Sequence, residues 1–257
     1  MMPPGAPGGR EQRTKPAFVV VEDAAALAQS LAERFVVCAR RATAERGRFD
    51  VALAGGSTPK GAYALLAAPP LAAGVSWNQV RFFFGDERCV PPGDPQSNYR
   101  MAREALLEPL RISDANVFRM RGEDEPPAAA RSYAELLRRE LGTRPVLDLV
   151  LLGMGPDGHT ASLFPGTDPL SDDELLVRAP YVAKFSTYRI TVTPRVINAA
   201  RHVAIATAGQ EKAQALAAVL EGPFEPITYP IQSIDPGDGD LTWLVDRAAA
   251  SKLTRPL

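Results

Sequence analysis

From one end to the other, short apolar runs alternate with segments of helical periodicity, and this alternation limits the chain to few folds. Strands are expected at 18–21, 50–54, 80–84, 147–152, 189–193, 202–207 and 241–245. Residues 147–152 are apolar but for Asp148, the pattern of a strand covered on both faces of a parallel sheet. Between these strands, Asp23 is a candidate N-cap for a helix whose Leu27, Leu31, Phe35, Cys38 and Ala42 share one face. Further helices are expected at 59–67, 98–110, 127–141 and 210–220, the last stopped by Gly222-Pro223. Strand-then-helix alternation implies an α/β fold, a doubly wound and mostly parallel sheet flanked by helices. One domain over residues 17–257 is expected, behind a Pro- and Gly-rich tail at 1–16.

Composition narrows the function. The 257 residues are 46% apolar and 23% charged, enough for a packed core without disulfides or metals. Cys38 and Cys89 read as reduced thiols. A net charge of −1 gives no basic field for nucleic acid or an anionic membrane. No apolar run approaches a membrane span, and the N-terminus lacks the apolar stretch of a signal peptide. A cytoplasmic, monomeric protein with a small-molecule partner is expected. His159 and His202 are the two histidines, so a metal site built from several histidines is impossible. Neither a metal nor a cofactor is expected.

Ligands in such sheets bind beyond the carboxyl ends of the strands, which singles out three loops. In the first, Gly55-Gly56-Ser57-Thr58-Pro59, two glycines allow close backbone approach, and Ser57 or Thr58 can cap a helix beginning at Pro59. A helix N-terminus there suits phosphate, although a plain capped helix start would read the same way. The second, Gly85-Asp86-Glu87-Arg88, runs from a buried strand straight into charge. Asp86 and Arg88 are either ligands or members of a local ion pair. The third, Gly153-Met154-Gly155-Pro156-Asp157-Gly158-His159, is the most informative. His159 can act as a base near neutrality, Asp157 can orient its ring, and amides around Gly155 and Gly158 can meet a developing oxyanion. The alternative is a capping or packing histidine.

The same loop contains a G-x-G-x-x-G, but Thr160 to Phe164 leaves little more than one turn before Pro165-Gly166. The acidic residue of a dinucleotide site is also missing, so that reading is set aside. No G-x-S-x-G elbow supports a serine hydrolase. Lys212 opens a helix, where its charge opposes the dipole, and a nearby anion would explain it. Arg189, at a strand start, is either an anion ligand or a surface arginine, and His202 reads as structural.

These motifs together resemble a known family. Ala52 to Pro59, Phe84 to Val90 with Ser97-Asn98-Tyr99-Arg100, and Gly153 to Pro165 look like the 6-phosphogluconolactonases, with support from 189–191 and 196–200. The resemblance runs from about Phe18 to near the C-terminus. It implies a Rossmann-like fold shared with the glucosamine-6-phosphate deaminases, and hydrolysis of 6-phospho-D-glucono-1,5-lactone to 6-phosphogluconate in the oxidative pentose phosphate pathway. It also implies a sugar phosphate as partner. The residues themselves offer Gly55, Gly56, Ser57, Thr58, Asp86, Arg88, Gly155, Gly158, Arg189 and Lys212 as candidate ligands for it, and His159 and Asp157 as the candidate catalytic pair. The deaminases carry a catalytic glutamate five residues after the histidine, whereas this chain has Phe164. That departure favours the lactonases over a deaminase-like isomerase. A sugar-phosphate binding regulator without catalysis is the remaining alternative.

Overall fold

The computed structural model describes residues 16–167 and 174–254. The tail expected at 1–16 therefore lies outside the described residues except for its last position. Six parallel strands form the central sheet: β1 (Ala17–Val21), β2 (Phe49–Leu53), β3 (Val80–Phe84), β5 (Leu149–Gly153), β9 (His202–Thr207) and β10 (Asp240–Asp246). Their order is β1-β10-β9-β5-β2-β3. The register is fixed by pairs such as Val51 with Leu149, Val150 with Val203, and Leu244 with Ala206. β2 and the first four residues of β5 are wholly buried, as strands covered on both faces must be. From β2 the chain first moves outward to β3, then returns to lay β5 on the other side of β2. The topological switch point thus falls between β2 and β5, where Gly55-Gly56 and the Gly153–His159 loop emerge.

Helix α1 (Ala24–Arg46) begins as expected: Asp23 accepts the Ala26 N–H at 2.9 Å. Leu27, Leu31, Phe35, Cys38 and Ala42 are all buried. Helix α2 (Ser57–Leu66) starts two residues earlier than expected. Its N-cap is Gly56, at φ 106°, so neither Ser57 nor Thr58 caps it and both sit in the first turn. The helix expected over 98–110 is also different. Only α3 (Asn98–Ala102) is α-helical, and Arg103–Leu107 is a π turn in which the Glu108 N–H reaches the Arg103 carbonyl. The wider turn brings Ala102, Leu106 and Leu107 together into the core. The remaining helices are α4 (Pro126–Leu141), α5 (Pro194–Asn198), α6 (Ala213–Glu221) and α7 (Arg247–Ala250). No helix among the described residues is long and apolar enough to cross a membrane.

A second, antiparallel sheet covers one side of the switch point. It consists of β4 (Asp86–Arg88), β8 (Thr187–Val192) and β6 (Val177–Arg178), with β7 (Tyr181–Val182) also paired to β8. The strand expected at 189–193 is present as β8, two residues longer at its start and one shorter at its end. It belongs to this small sheet and holds Arg189 opposite Arg88.

The strand ends that carry the loops are anchored by buried tyrosines. The Tyr63 hydroxyl accepts the Ala54 N–H and donates to the Ala54 carbonyl, both at 2.9 Å. Tyr133 accepts the Phe84 N–H at 2.9 Å. At the opposite end of the sheet, buried Asp50 takes two hydrogen bonds from Arg81, at 2.6 and 3.0 Å. Cys38 and Cys89 are free, and burial pushes both thiols up to about 11.

Candidate active site

At the switch point an open cleft of about 460 Å³ is lined by residues from every expected loop. That volume is in the range of small-ligand sites. Gly55, Gly56, Ser57, Thr58, Asp86, Arg88, Gly155, His159 and Lys212 all line it. Asp157, Gly158 and Arg189 are not among its lining residues. Their neighbours show what each does there.

His159 is fixed on two sides. Its Nδ1 lies 2.5 Å from Asp157 Oδ1, and its ring stacks on Phe164 with centroids 4.2 Å apart. With Nδ1–H donated to the carboxylate, Nε2 is left as the basic nitrogen. Burial raises the Asp157 carboxyl, but hydrogen bonds and charge from His159 and Lys184 outweigh it and bring it down to about 2. Asp157 is therefore ionised at any pH where an imidazole is a base. Gly155 makes room for the ring, since a Cβ at this position would sit 1.9 Å from His159 Nδ1.

Two amides expected to face an oxyanion are already engaged. The Gly155 N–H donates to the His159 carbonyl at 2.8 Å and the Gly158 N–H to the Gly155 carbonyl at 3.0 Å. The tight turn that projects His159 uses these donors to close itself. Gly158 also accepts the Ile231 N–H, which ties the turn to the segment before β10. The chain continues through Ala161 at φ 47°, a left-handed position rare for a residue with a Cβ. A dinucleotide fingerprint needs a helix after its third glycine, whereas residues 159–167 form turns and no helix.

Asp86 joins the three loops. Its Oδ1 accepts from Asn98 Nδ2 at 3.0 Å, and its Oδ2 accepts from Ser162 Oγ at 2.6 Å. Asn98 in turn packs under Gly55, where a Cβ would lie 2.0 Å from its Oδ1. The ion pair considered for this loop does not form: Arg88 donates to the Gln96 carbonyl. Glu87 is buried and accepts N–H bonds from Arg88, Asn98 and Tyr99 as well as the Ser97 hydroxyl. Burial, the largest influence, pushes its carboxyl up against these donors.

Ser57 and Thr58 line the cleft from the first turn of α2, where their N–H groups have no acceptor within the helix. Lys212 faces the same space from the start of α6, with Glu211 at 4.0 Å. Arg189 lies over the Phe185 ring beside Arg88, and burial followed by the Arg88 charge holds it below the usual arginine value. His202 sits at the start of β9, at the far end of the sheet from the cleft. Asn98, Ser162, Lys184 and Asp246 were not singled out from the sequence, although Asn98 and Ser162 fall within the motif segments. Asp246 ends β10, lines the cleft and accepts the Gly209 N–H. Among the described residues, no three His, Cys, Asp or Glu side chains cluster to hold a metal ion.

Comparisons with known proteins agree with this fold. Residues 22–243 match the family model of glucosamine-6-phosphate isomerases/6-phosphogluconolactonase. A 6-phosphogluconolactonase of Synechocystis is 40% identical, over 88% of this chain and 95% of that protein. The solved structure of 6-phosphogluconolactonase from Trypanosoma cruzi superposes with a TM-score of 0.84 at 31% identity, covering 96% of this chain and 100% of that one. A monomeric glucosamine-6-phosphate deaminase shares the fold, with a TM-score of 0.78 at 22% identity and coverage of 92% of this chain and 99% of that one. By sequence match and architecture together, the chain belongs to the glucosamine-6-phosphate isomerase/6-phosphogluconolactonase family.

Proposed function

We propose that this chain hydrolyses 6-phospho-D-glucono-1,5-lactone to 6-phosphogluconate, with His159 as the general base. The observation that carries the reading is the His159 environment. The imidazole is held by Asp157 on one edge and covered by Phe164 on one face, at the rim of a cleft that offers a helix N-terminus and a lysine. Relatives named 6-phosphogluconolactonase, which align over most of their length, support it. At position 164 an aromatic ring replaces the carboxylate that ring-opening deamination would need, so the site is built for one base.

In this reading the first turn of α2 and Lys212 take the phosphate, by backbone donors and charge. His159 Nε2 removes a proton from water as the water oxygen attacks C1, and the carbonyl electrons move to its oxygen. Asp157 stabilises the imidazolium that forms. The tetrahedral intermediate then collapses, the C1–O5 bond breaks, and the imidazolium returns the proton to the leaving oxygen. Because the Gly155 and Gly158 amides close their own turn, Arg88 is the better candidate for the developing oxyanion. An ester carbonyl is electrophilic enough for this route to need only protein groups.

The test is lactone hydrolysis measured above the spontaneous rate, with the lactone made in place from glucose 6-phosphate. Loss of a general base costs about 10²–10⁴ in rate. His159→Ala should therefore lower kcat at least about a hundredfold. Wild-type protein that binds 6-phosphogluconate without accelerating hydrolysis would refute the enzyme reading. An active His159→Ala would refute the base assignment.

A further inference from the structure

We propose that Lys184 is a positioning residue for the Asp157–His159 pair, gripping the carboxylate oxygen that the histidine leaves unused. The inference rests on the reading of His159 as the base.

Asp157 has two oxygens and two side-chain partners. Oδ1 faces His159 Nδ1 at 2.5 Å, and Oδ2 receives Lys184 Nζ at 3.1 Å. A carboxylate held at one oxygen can still turn, because the terminal torsion of aspartate is broad. Held at both, it defines one plane and one direction for the imidazole. The neighbouring residue acts on the same base from another side. Phe185 meets Phe164 edge-on, with centroids 5.7 Å apart and planes at 76°, and Phe164 stacks on His159. Two consecutive residues of one turn thus reach the base by separate routes, one through its carboxylate and one through its stacking partner.

The turn is built to present them. Residues Ala183–Phe185 form a 3-10 turn closed by the Ser186 N–H on the Ala183 carbonyl, with Ser186 left-handed at φ 49°. β7 and β8 pair on either side of it, Tyr181 opposite Tyr188. Lys184 does not line the cleft, and its side chain is 55% exposed. Its geometry is that of a group acting through Asp157.

Exposure limits the size of the effect. A solvent-screened ion pair couples by up to about 1 kcal/mol, which converts to about a fivefold change in rate. Charge also gives the effect a direction in pH. Lys184 reaches the pair from the turn, and the charged groups that line the cleft with His159 are Asp86, Arg88, Glu211, Lys212 and Asp246. Removing the Lys184 cation leaves the Asp157 anion less compensated, so imidazolium persists to higher pH and the acid limb of kcat/KM moves up.

The experiment measures kcat, KM and the pH profile of lactone hydrolysis for wild type, Lys184→Met, Lys184→Gln and Lys184→Arg. Both neutral variants should lose about threefold to fivefold in kcat with KM unchanged and shift the acid limb to higher pH. Lys184→Arg should recover most of the rate and restore the limb. A rise in KM at constant kcat would make Lys184 a substrate ligand instead and overturn the proposal. Unchanged kcat and an unmoved acid limb would overturn it too. His159→Ala tests the underlying base assignment separately, since its activity does not depend on what Lys184 does.

Discussion

Gly155 shows how little freedom the candidate base has. The imidazole packs against a backbone position with no side chain, and any Cβ there would overlap Nδ1. Gly155→Ala should therefore displace the ring from Asp157 while leaving the buried strand before it intact. The expected result is a fall in kcat of about a hundredfold or more, comparable to loss of the base. A melting temperature near that of wild type would show that the fold survives. Near-normal activity in this variant would mean that the ring position is not critical. At this scale the sequence singled out His159 and Asp157 as candidates, because a histidine in a glycine-rich loop after a strand is conspicuous. It could not show that Gly155 and Gly158 spend their N–H groups on the turn itself, since hydrogen-bond partners depend on backbone dihedrals that glycine leaves open.

Among the elements, the sheet separates stability from chemistry. The cleft lies at the carboxyl ends of β2 and β5, whereas the Asp50–Arg81 pair sits where β2 and β3 begin. Asp50 is buried, and removing one partner of a buried pair costs about 3 kcal/mol. Asp50→Ala should lower the melting temperature by about 10 °C, at about 3 °C per kcal/mol for a chain of this size. The kcat and KM of the folded fraction should stay near wild type. A large change in KM would show that the two ends of the sheet are coupled. The long helices and buried strands were legible because each repeats its burial pattern over several residues. The three-residue strand β4 was not. Its charged sequence carries no strand period, and only pairing with β8 makes it a strand. The helix expected over 98–110 failed for a related reason: a π turn keeps helical composition while changing which residues face inward.

For the molecule as a whole, the cleft is made from segments far apart in the chain, at Gly55, Asp86, His159 and Lys212. A ligand that bridges them binds only the folded state and must stabilise all of it. At about one hundred times its Kd, 6-phosphogluconate should add about 2.7 kcal/mol and raise the melting temperature by about 5–10 °C. Inorganic phosphate, reaching only one wall, should give a smaller shift. No shift with 6-phosphogluconate at any concentration would mean that the cleft does not take this ligand. The sequence by itself determined the α/β class, the parallel core and the three strand-end loops, because apolar period and glycine placement are local properties. The tertiary structure alone decided which groups meet: Ser162 and Asn98 on Asp86, Lys184 on Asp157, and Phe164 on His159. Those contacts, except for Phe164 on His159, join residues 12 to 76 positions apart, and their geometry follows from strand order and register rather than from any local pattern.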